Sequence, residues 1–491
     1  MAIICFMNKR IFYFFAILCL LASCKESTIT HDPQAVLTLS RDSLLFDTVF
    51  TDMGSATMRL MVHNTNRNAL SISKVWLQQG NYFKVNIDGE PTLDKLTDYT
   101  VRGGDSLYVF VRVFIDPQNQ NSPVLVRDSL CFAVNGKVQY VYLEAYGQDV
   151  RLIRSPHRRT EKNGMTMKTD KPYLIYDTVL VAGQLTLPAG TEIYLHEGAS
   201  LWALGDVDAT GTQDQPIRIR GDRRDRLWDS VPYAHVAGQW DGLYLIDQDP
   251  NKTPHYHLNY VYIESGNVGL YVESERKTNL PTLEMTNCRI HNHTLYGLVL
   301  QHIDATIANT EISNCASYCV YLSGGKQQFV HTTIASYFNN GDFYLQSASR
   351  QDLAAVYIHN LSKDCPTETS FCNSIITGVR RNQLVVATPL TRYYTGSFVG
   401  NYLKTDTLNL PNAARNVYWQ EDDSVEVFRN NYYSHIGYQY YDFQLDSLSP
   451  AIGMADSLTA LSYPTDPLGT PRTGNNIRPD AGCYQHTQVN E

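Results

Sequence analysis

The chain has 491 residues, 43% hydrophobic and 18% charged, with a formal net charge of −9. That length exceeds one ordinary compact domain, and the composition excludes a disordered or coiled-coil chain. The acidic balance, with no block of basic residues, excludes a nucleic-acid partner, whose phosphates demand a Lys/Arg face.

Residues 1–24 read as a lipoprotein signal peptide. Met7-Asn8-Lys9-Arg10 is a basic start, and Ile11 to Ala22 is an almost unbroken apolar run of 12 residues, short for a bilayer span. The run ends Leu21-Ala22-Ser23-Cys24, small residues before a cysteine as in a lipobox. Cys24 is therefore expected to carry diacylglycerol, which makes the membrane a partner through the lipid. No Asp directly follows Cys24 to signal inner-membrane retention. The expected location is the outer membrane, periplasmic or surface-exposed. Seven cysteines follow: Cys131, Cys288, Cys315, Cys319, Cys365, Cys372 and Cys483. An odd number in an oxidising space leaves at least one free thiol. Cys365 and Cys372 flank a short polar loop and could bridge it; burial as small core residues suits the others. No Cys-x-x-Cys occurs, which argues against a thiolate zinc site.

Residues 35–149 carry short alternating strands such as Met58–Val62, Tyr108–Val113 and Tyr140–Leu143, separated by turn pairs Asp88-Gly89, Gly103-Gly104 and Asn135-Gly136. This spacing, roughly seven strands in about 115 residues, predicts an immunoglobulin-like β-sandwich. The Cys-Trp-Cys core of antibody domains is absent, and the expected role is a spacer. Residues 150–170 contain Arg151, Arg154, His157, Arg158, Arg159 and Lys162, then Gly164. They read as a linker or a charged cap over the first turn of a solenoid.

Residues 171–486 carry a repeat. Ile263, Ile290, Ile312, Ile334 and Ile358 begin successive units, and two positions later stand Ser265, Asn292, Asn314, Ser336 and Asn360. A second strand follows each of the first four: Gly269–Val272, Gly297–Leu300, Cys319–Leu322 and Asp342–Leu345. Met285, Ile307, Phe329 and Leu353 lie five positions before the last four isoleucines. Units of this length with several short strands predict a right-handed parallel β-helix, its isoleucines stacked inward at strand spacing. The Asn and Ser residues fall where the chain turns, and stacked there they can bond along the axis. The fold class is all-β: an N-terminal sandwich followed by this helix. Val425–Phe428 is expected as a late rung.

An insertion from Gly221 to about Gln239 interrupts the early coils. Arg223, Arg224, Arg226, Trp228, Tyr233 and His235, with Trp240 after it, would form a basic aromatic wall. Arginine forks could pair with an anionic sugar while rings stack on its faces. The alternative is that Trp240 packs in the turn and the arginines pair with Asp222, Asp225 and Asp229.

The Gln239-Trp240-Asp241-Gly242 turn, the Ile-x-Asn rungs, Ser449-Pro450-Ala451-Ile452 and Pro479-Asp480-Ala481-Gly482 resemble β-helix lipoproteins of Bacteroidales. The resemblance implies that the two closing motifs form the last coil and its cap. It is specific for architecture and implies no activity.

Catalytic residues are not assignable from the sequence. The Asn-Thr-Asp, Gly-His-Gly and Arg-Ile-Lys strings of galacturonan hydrolases are missing, and the one adjacent Asp pair is Asp422-Asp423. Asp241, Glu264, Glu273, Glu284, Asp304, Glu311, Asp342 and Asp352 read as solvated outer-face carboxylates. His255 with His257, and His291 with His293, share strand faces without a third metal ligand. No cofactor is expected, and Ca²⁺ only in a lyase. The sequence points to a monomeric cell-envelope lipoprotein whose β-helix is a rigid surface for polysaccharide. The alternatives are a polysaccharide lyase or glycoside hydrolase on the same scaffold, and a structural or adhesin-like surface protein.

Overall fold

The computed structural model describes residues 28–91, 97–154, 159–227, 231–338, 353–359, 362–387, 393–406, 414–420, 424–432, 440–474 and 477–486. The chain divides into two compact units, Met1–Asp149 and Val150–Glu491.

The first unit is a sandwich of nine strands: β1 (Thr38–Leu39), β2 (Ser43–Phe50), β3 (Met58–His63), β4 (Leu70–Leu77), β5 (Phe83–Ile87), β6 (Tyr99–Val101), β7 (Ser106–Val113), β8 (Val124–Val134) and β9 (Lys137–Gln148). One sheet runs β1-β3-β7-β5 and the other β2-β9-β8-β4-β6. All pairings are antiparallel except β2 with β9. Strand β7 shows the reason for the fold: Leu107, Val109, Val111 and Val113 are buried, while Tyr108 and Phe110 between them face outward. The excess over seven comes from pieces of two and three residues, β1 and β6.

The second unit is a parallel β-helix. Its coils feed three parallel sheets in rotation, here sheets I, II and III, of 11, 9 and 10 strands. Sheet I starts at Arg151–Ile153, sheet II at Arg159–Glu161 and sheet III at Met165–Thr166. The segment expected as a linker or cap is thus the first coil itself. Each strand is only a few residues long because alternate residues must fill a narrow prism. The others face outward.

The isoleucine column is real. Ile193, Ile219, Ile263, Ile290, Ile312, Ile334 and Ile376 lie in register in sheet I, each with no more than 1% of its surface exposed. Ile358 does not belong to it. It lies in sheet II against Leu322, because the coil after Ile334 carries extra residues and a fixed period overshoots. The place expected for Leu353 is taken by Phe371, which stands five positions before Ile376 and stacks between Phe329 and Phe398 in sheet III, at 4.7 and 5.5 Å. Full burial of each such ring contributes about 1.5–3 kcal/mol. Leu353 lies outside the strands, and Asp342–Leu345 and Asn360 fall outside the described residues.

The corners are held by polar ladders. Between sheets I and II, Ser265, Asn292 and Asn314 all have positive φ, 63°, 67° and 57°. The Asn292 amide donates to Ser265 Oγ, and the Asn314 amide donates to Asn292 Oδ1. Asparagine tolerates this left-handed backbone. A second ladder, formed outside the Ile-x-Asn positions, turns the chain from sheet III into sheet I. There Asn287 donates to Asn259 and Asn309 to Asn287, with φ of 54° and 48° at Asn287 and Asn309.

The closing motifs lie differently from the arrangement the resemblance implies. Instead of a last coil and cap, they run back along the side of the helix as a strap. Leu468 C=O accepts from Gln213, Thr465 C=O from Asn309, and Tyr484 donates to Glu311. Further along, the Cys483 amide donates to Thr333 Oγ1 and the Gly482 amide to Asn373 C=O. Val425–Phe428 is no rung either. Phe428–Asn430 pairs antiparallel with Asp442–Leu445, and Phe428, Tyr441, Phe443 and Leu445 pack with Ala335, Tyr337, Ile375 and Tyr402.

Candidate functional site

The expected basic wall is only partly assembled. Arg223 forks onto Asp225 at 2.7 and 2.6 Å and lies 3.8 Å over the Tyr233 ring. The ion pair holds the guanidinium pKa above its ordinary value. Arg224 donates to the Tyr194 hydroxyl, as does Arg220. Arg226 is exposed at the start of a two-residue strand paired with Val231–Pro232. His235 stacks on Tyr440 at 3.6 Å, and burial pushes its pKa down to about 4. Trp240 is fully buried, donating to the Glu264 carbonyl, so its ring cannot stack on a ligand. Trp228 lies outside the described residues, as does Cys24. An anion at Arg223 would have to displace Asp225.

Not every carboxylate expected on the solvated outer face is solvated. Glu311 is buried under the strap, and its partner Arg289 lies 3.3 Å from both Glu311 and Glu264. Burial works against the Arg289 charge, but the two carboxylates outweigh it and raise its pKa. His291 and His293 are buried structural groups. His291 bonds Ser313 and Tyr440; His293 sits against the Ile263 carbonyl and Gly266 amide. His257 lies 3.6 Å from Glu284, and His255 bonds Thr282. Among the described residues no group of three or more His, Cys, Asp or Glu could hold a metal ion. The seven cysteines are free thiols, Cys365 and Cys372 included. Asp342, Asp352, Asp422 and Asp423 lie outside the described residues.

The outer face of sheet II carries what the sequence reading missed. Register places Trp202, Tyr244, Tyr271, Val299, Tyr321 and Tyr357 in one outward column. The five aromatic rings are half-buried. Trp202 and Tyr244 stack at 4.3 Å, and Tyr271 tilts 46° from Tyr244. Beyond Val299, Tyr318 and Tyr357 stack at 4.7 Å beside Tyr321 and Tyr296. Polar groups rim the column. Tyr244 donates to Asp241, Gln301 donates to Tyr271, and Tyr321 pairs with His359 at 3.0 Å. Burial, then the neighbouring Glu273, push Tyr271 up to about 12, so its hydroxyl stays a donor at any physiological pH. A signal was present in the sequence: Leu201-Trp202-Ala203, Leu243-Tyr244-Leu245, Leu270-Tyr271-Val272, Val320-Tyr321-Leu322 and Val356-Tyr357-Ile358 each set one ring between two inward aliphatics.

Sheet III presents a different face. A groove of about 630 Å³ runs along five coils and is lined by hydroxyls, amides and charges, among them Glu284, Asp304, Lys326, Gln328 and Glu368. Asp304, Lys326 and Glu368 come from three successive rungs. Lys326 Nζ lies 3.4 Å from Glu368, and its amide donates to Asp304. These are open positions, with the Lys326 side chain 71% exposed.

No protein-family description and no curated protein sequence matches the chain. Among solved structures, 23% of the chain aligns with 31% of the Vibrio cholerae VesB protease, at 15% identity and a TM-score of 0.16. A family 123 glycoside hydrolase from Clostridium perfringens aligns over 26% of this chain and 30% of its own, at 6% identity and a TM-score of 0.17. The chain thus spans under a third of the length of either, and superpositions this loose carry no argument about its activity.

Proposed function

We propose that the protein is a cell-envelope lipoprotein, tethered to the outer membrane through Cys24, whose β-helix binds polysaccharide. The observation that carries this reading is the aromatic column on sheet II. Its rings offer apolar contact to sugar C–H faces, and Asp241, Glu273, Gln301 and His359 offer bonding partners to hydroxyls. Successive rungs are about 4.8 Å apart, close to the length of one pyranose unit, so a chain laid along the axis meets a fresh rung with each sugar. Carboxylates rather than arginines flank the column, which favours a neutral glycan.

The test is a glycan array on the purified chain, followed by titration of any hit against Tyr321→Ala and Tyr357→Ala. Loss of one ring is expected to weaken binding about tenfold, or about 1.4 kcal/mol. Unchanged affinity in both variants would remove the column from the account. The lyase or hydrolase reading stays second and draws on the sheet III groove, where Lys326 stands between two carboxylates.

A further inference from the structure

The outer face of the larger sandwich sheet holds an aromatic-walled cavity that a spacer does not need. Strands β4, β8 and β9 lie side by side there. Trp76 is in register with Cys131, and Cys131 with Tyr140; in the next row Ser129 faces Tyr142. The central strand thus offers a low floor, Ser129 and Cys131, between an indole wall on one side and two phenol rings on the other. The cavity measures about 340 Å³ and is lined by Trp76, Gln78, Ser129, Cys131, Tyr140 and Tyr142. Tyr140 and Tyr142 stand 50% and 55% exposed, with ring centroids 5.1 Å apart and edge to face.

Two features decide what such a cavity takes. The backbone groups of its floor are already used in the β4–β8–β9 ladders, so an added peptide strand finds no main-chain partners. What remains is side-chain chemistry: flat rings for C–H contact, with the Ser129 hydroxyl, the Gln78 amide and two phenols for hydrogen bonds. No carboxylate or arginine lines it. A volume at the small end of ligand sites suits one or two sugar rings better than a long chain. We infer that this cavity is a second carbohydrate site, specific for a short, uncharged saccharide or a glycan end. It is independent of the sheet II column, so either reading can fail alone.

The test uses the purified chain and an array of neutral mono- to tetrasaccharides. Cys131→Tyr fills the cavity from the outward face without entering the core, and Trp76→Ala and Tyr140→Ala each remove a wall from a half-exposed position. At least one saccharide is expected to bind at least tenfold more weakly to these variants. It is expected to keep its affinity for Cys131→Ser and for Tyr321→Ala/Tyr357→Ala. Circular dichroism and the melting temperature check that each variant is folded. The inference is overturned if no saccharide responds to the wall and floor variants. It is equally overturned if Cys131→Tyr alters only self-association in sedimentation, since the face would then be a protein contact.

Discussion

The guanidinium of Arg472 donates to the side-chain oxygen of Asn309, 2.6 Å away and 163 residues earlier in the chain. Asn309 belongs to the ladder that turns sheet III into sheet I, and Arg472 to the strap. The same guanidinium also reaches the carbonyls of Thr465, Gly482 and Cys483. Burial lowers its pKa to about 10, yet it stays charged at neutral pH. One side chain therefore ties the strap to itself and to the side of the helix.

Replacing Arg472 takes a buried donor away from Asn309 Oδ1 and from the Gly482 and Cys483 carbonyls, while the Thr465 carbonyl keeps the Asn309 amide. Arg472→Met is expected to cost about 3 kcal/mol, read as a lower melting temperature of the β-helix transition. Limited proteolysis should then cut within the strap before the coils. Arg472→Lys, which keeps the charge but cannot fork, is expected to fall between. A wild-type melting curve for Arg472→Met would show that the strap is held by its apolar cluster alone.

The strap also explains where the sequence was readable and where it was not. The inward isoleucines repeat because each coil buries the same position, so Ile263, Ile290, Ile312 and Ile334 could be found by spacing alone. Ile358 was misplaced because spacing has no means of knowing that one coil is longer. The strap has no period at all: Ser449–Ile452 and Pro479–Gly482 are fixed by contacts with coils far away in sequence. Glu311 looked like any outward carboxylate, since the strap residue Tyr484 that donates to it lies 173 residues away. The aromatic column needed a register across coils of unequal length, although its ring-between-aliphatics triplets were visible. In the insertion, the nearby Asp225 was a better guide to Arg223 than the run of arginines.

The corner ladder should be sensitive to a single amide. Asn292 donates to the His235 carbonyl and to Ser265, and accepts from Asn314. Asn292→Ala loses all of these and places a Cβ-branched-free but strained residue at φ 67°, at an expected cost of about 1–3 kcal/mol. Asn292→Gly relieves the backbone strain and should recover part of the loss. Equal melting temperatures for the two variants would mean that the side-chain bonds, and not the backbone, set the cost.

Acid should weaken the helix through its buried histidines. Burial holds His293 down to about 4 and His291 well below the ordinary value, and for His291 the nearby Arg289 adds to the effect. A depressed folded pKa means that the unfolded chain takes up protons that the native state refuses. The stability is full above about pH 6.5, the unfolded value, and is lost as pH falls toward about 4. At pH 5, His293 alone should cost about 2 kcal/mol relative to neutral pH. Thermal melts at pH 7 and pH 5 measure this. His291→Gln, which keeps polar atoms toward Ser313 and Tyr440, should flatten the dependence, whereas a slope unchanged from wild type would move the effect to other groups.

The groove on sheet III gives the sharpest check on catalysis. Elimination from a uronate needs a base that is neutral when it acts and a site that shields the sugar carboxylate from water. Lys326 is paired with Glu368 and open to solvent, so nothing at this position shields a sugar carboxylate from water. Glu284, Asp304 and Glu368 would also repel an acidic chain. Incubation with acidic polysaccharides is therefore expected to release no unsaturated uronate, read as flat ultraviolet absorbance. A rising signal that Lys326→Ala abolishes would reverse this argument. It would mean that the bound substrate itself expels water from the groove, and the enzymatic reading would then take precedence over binding alone.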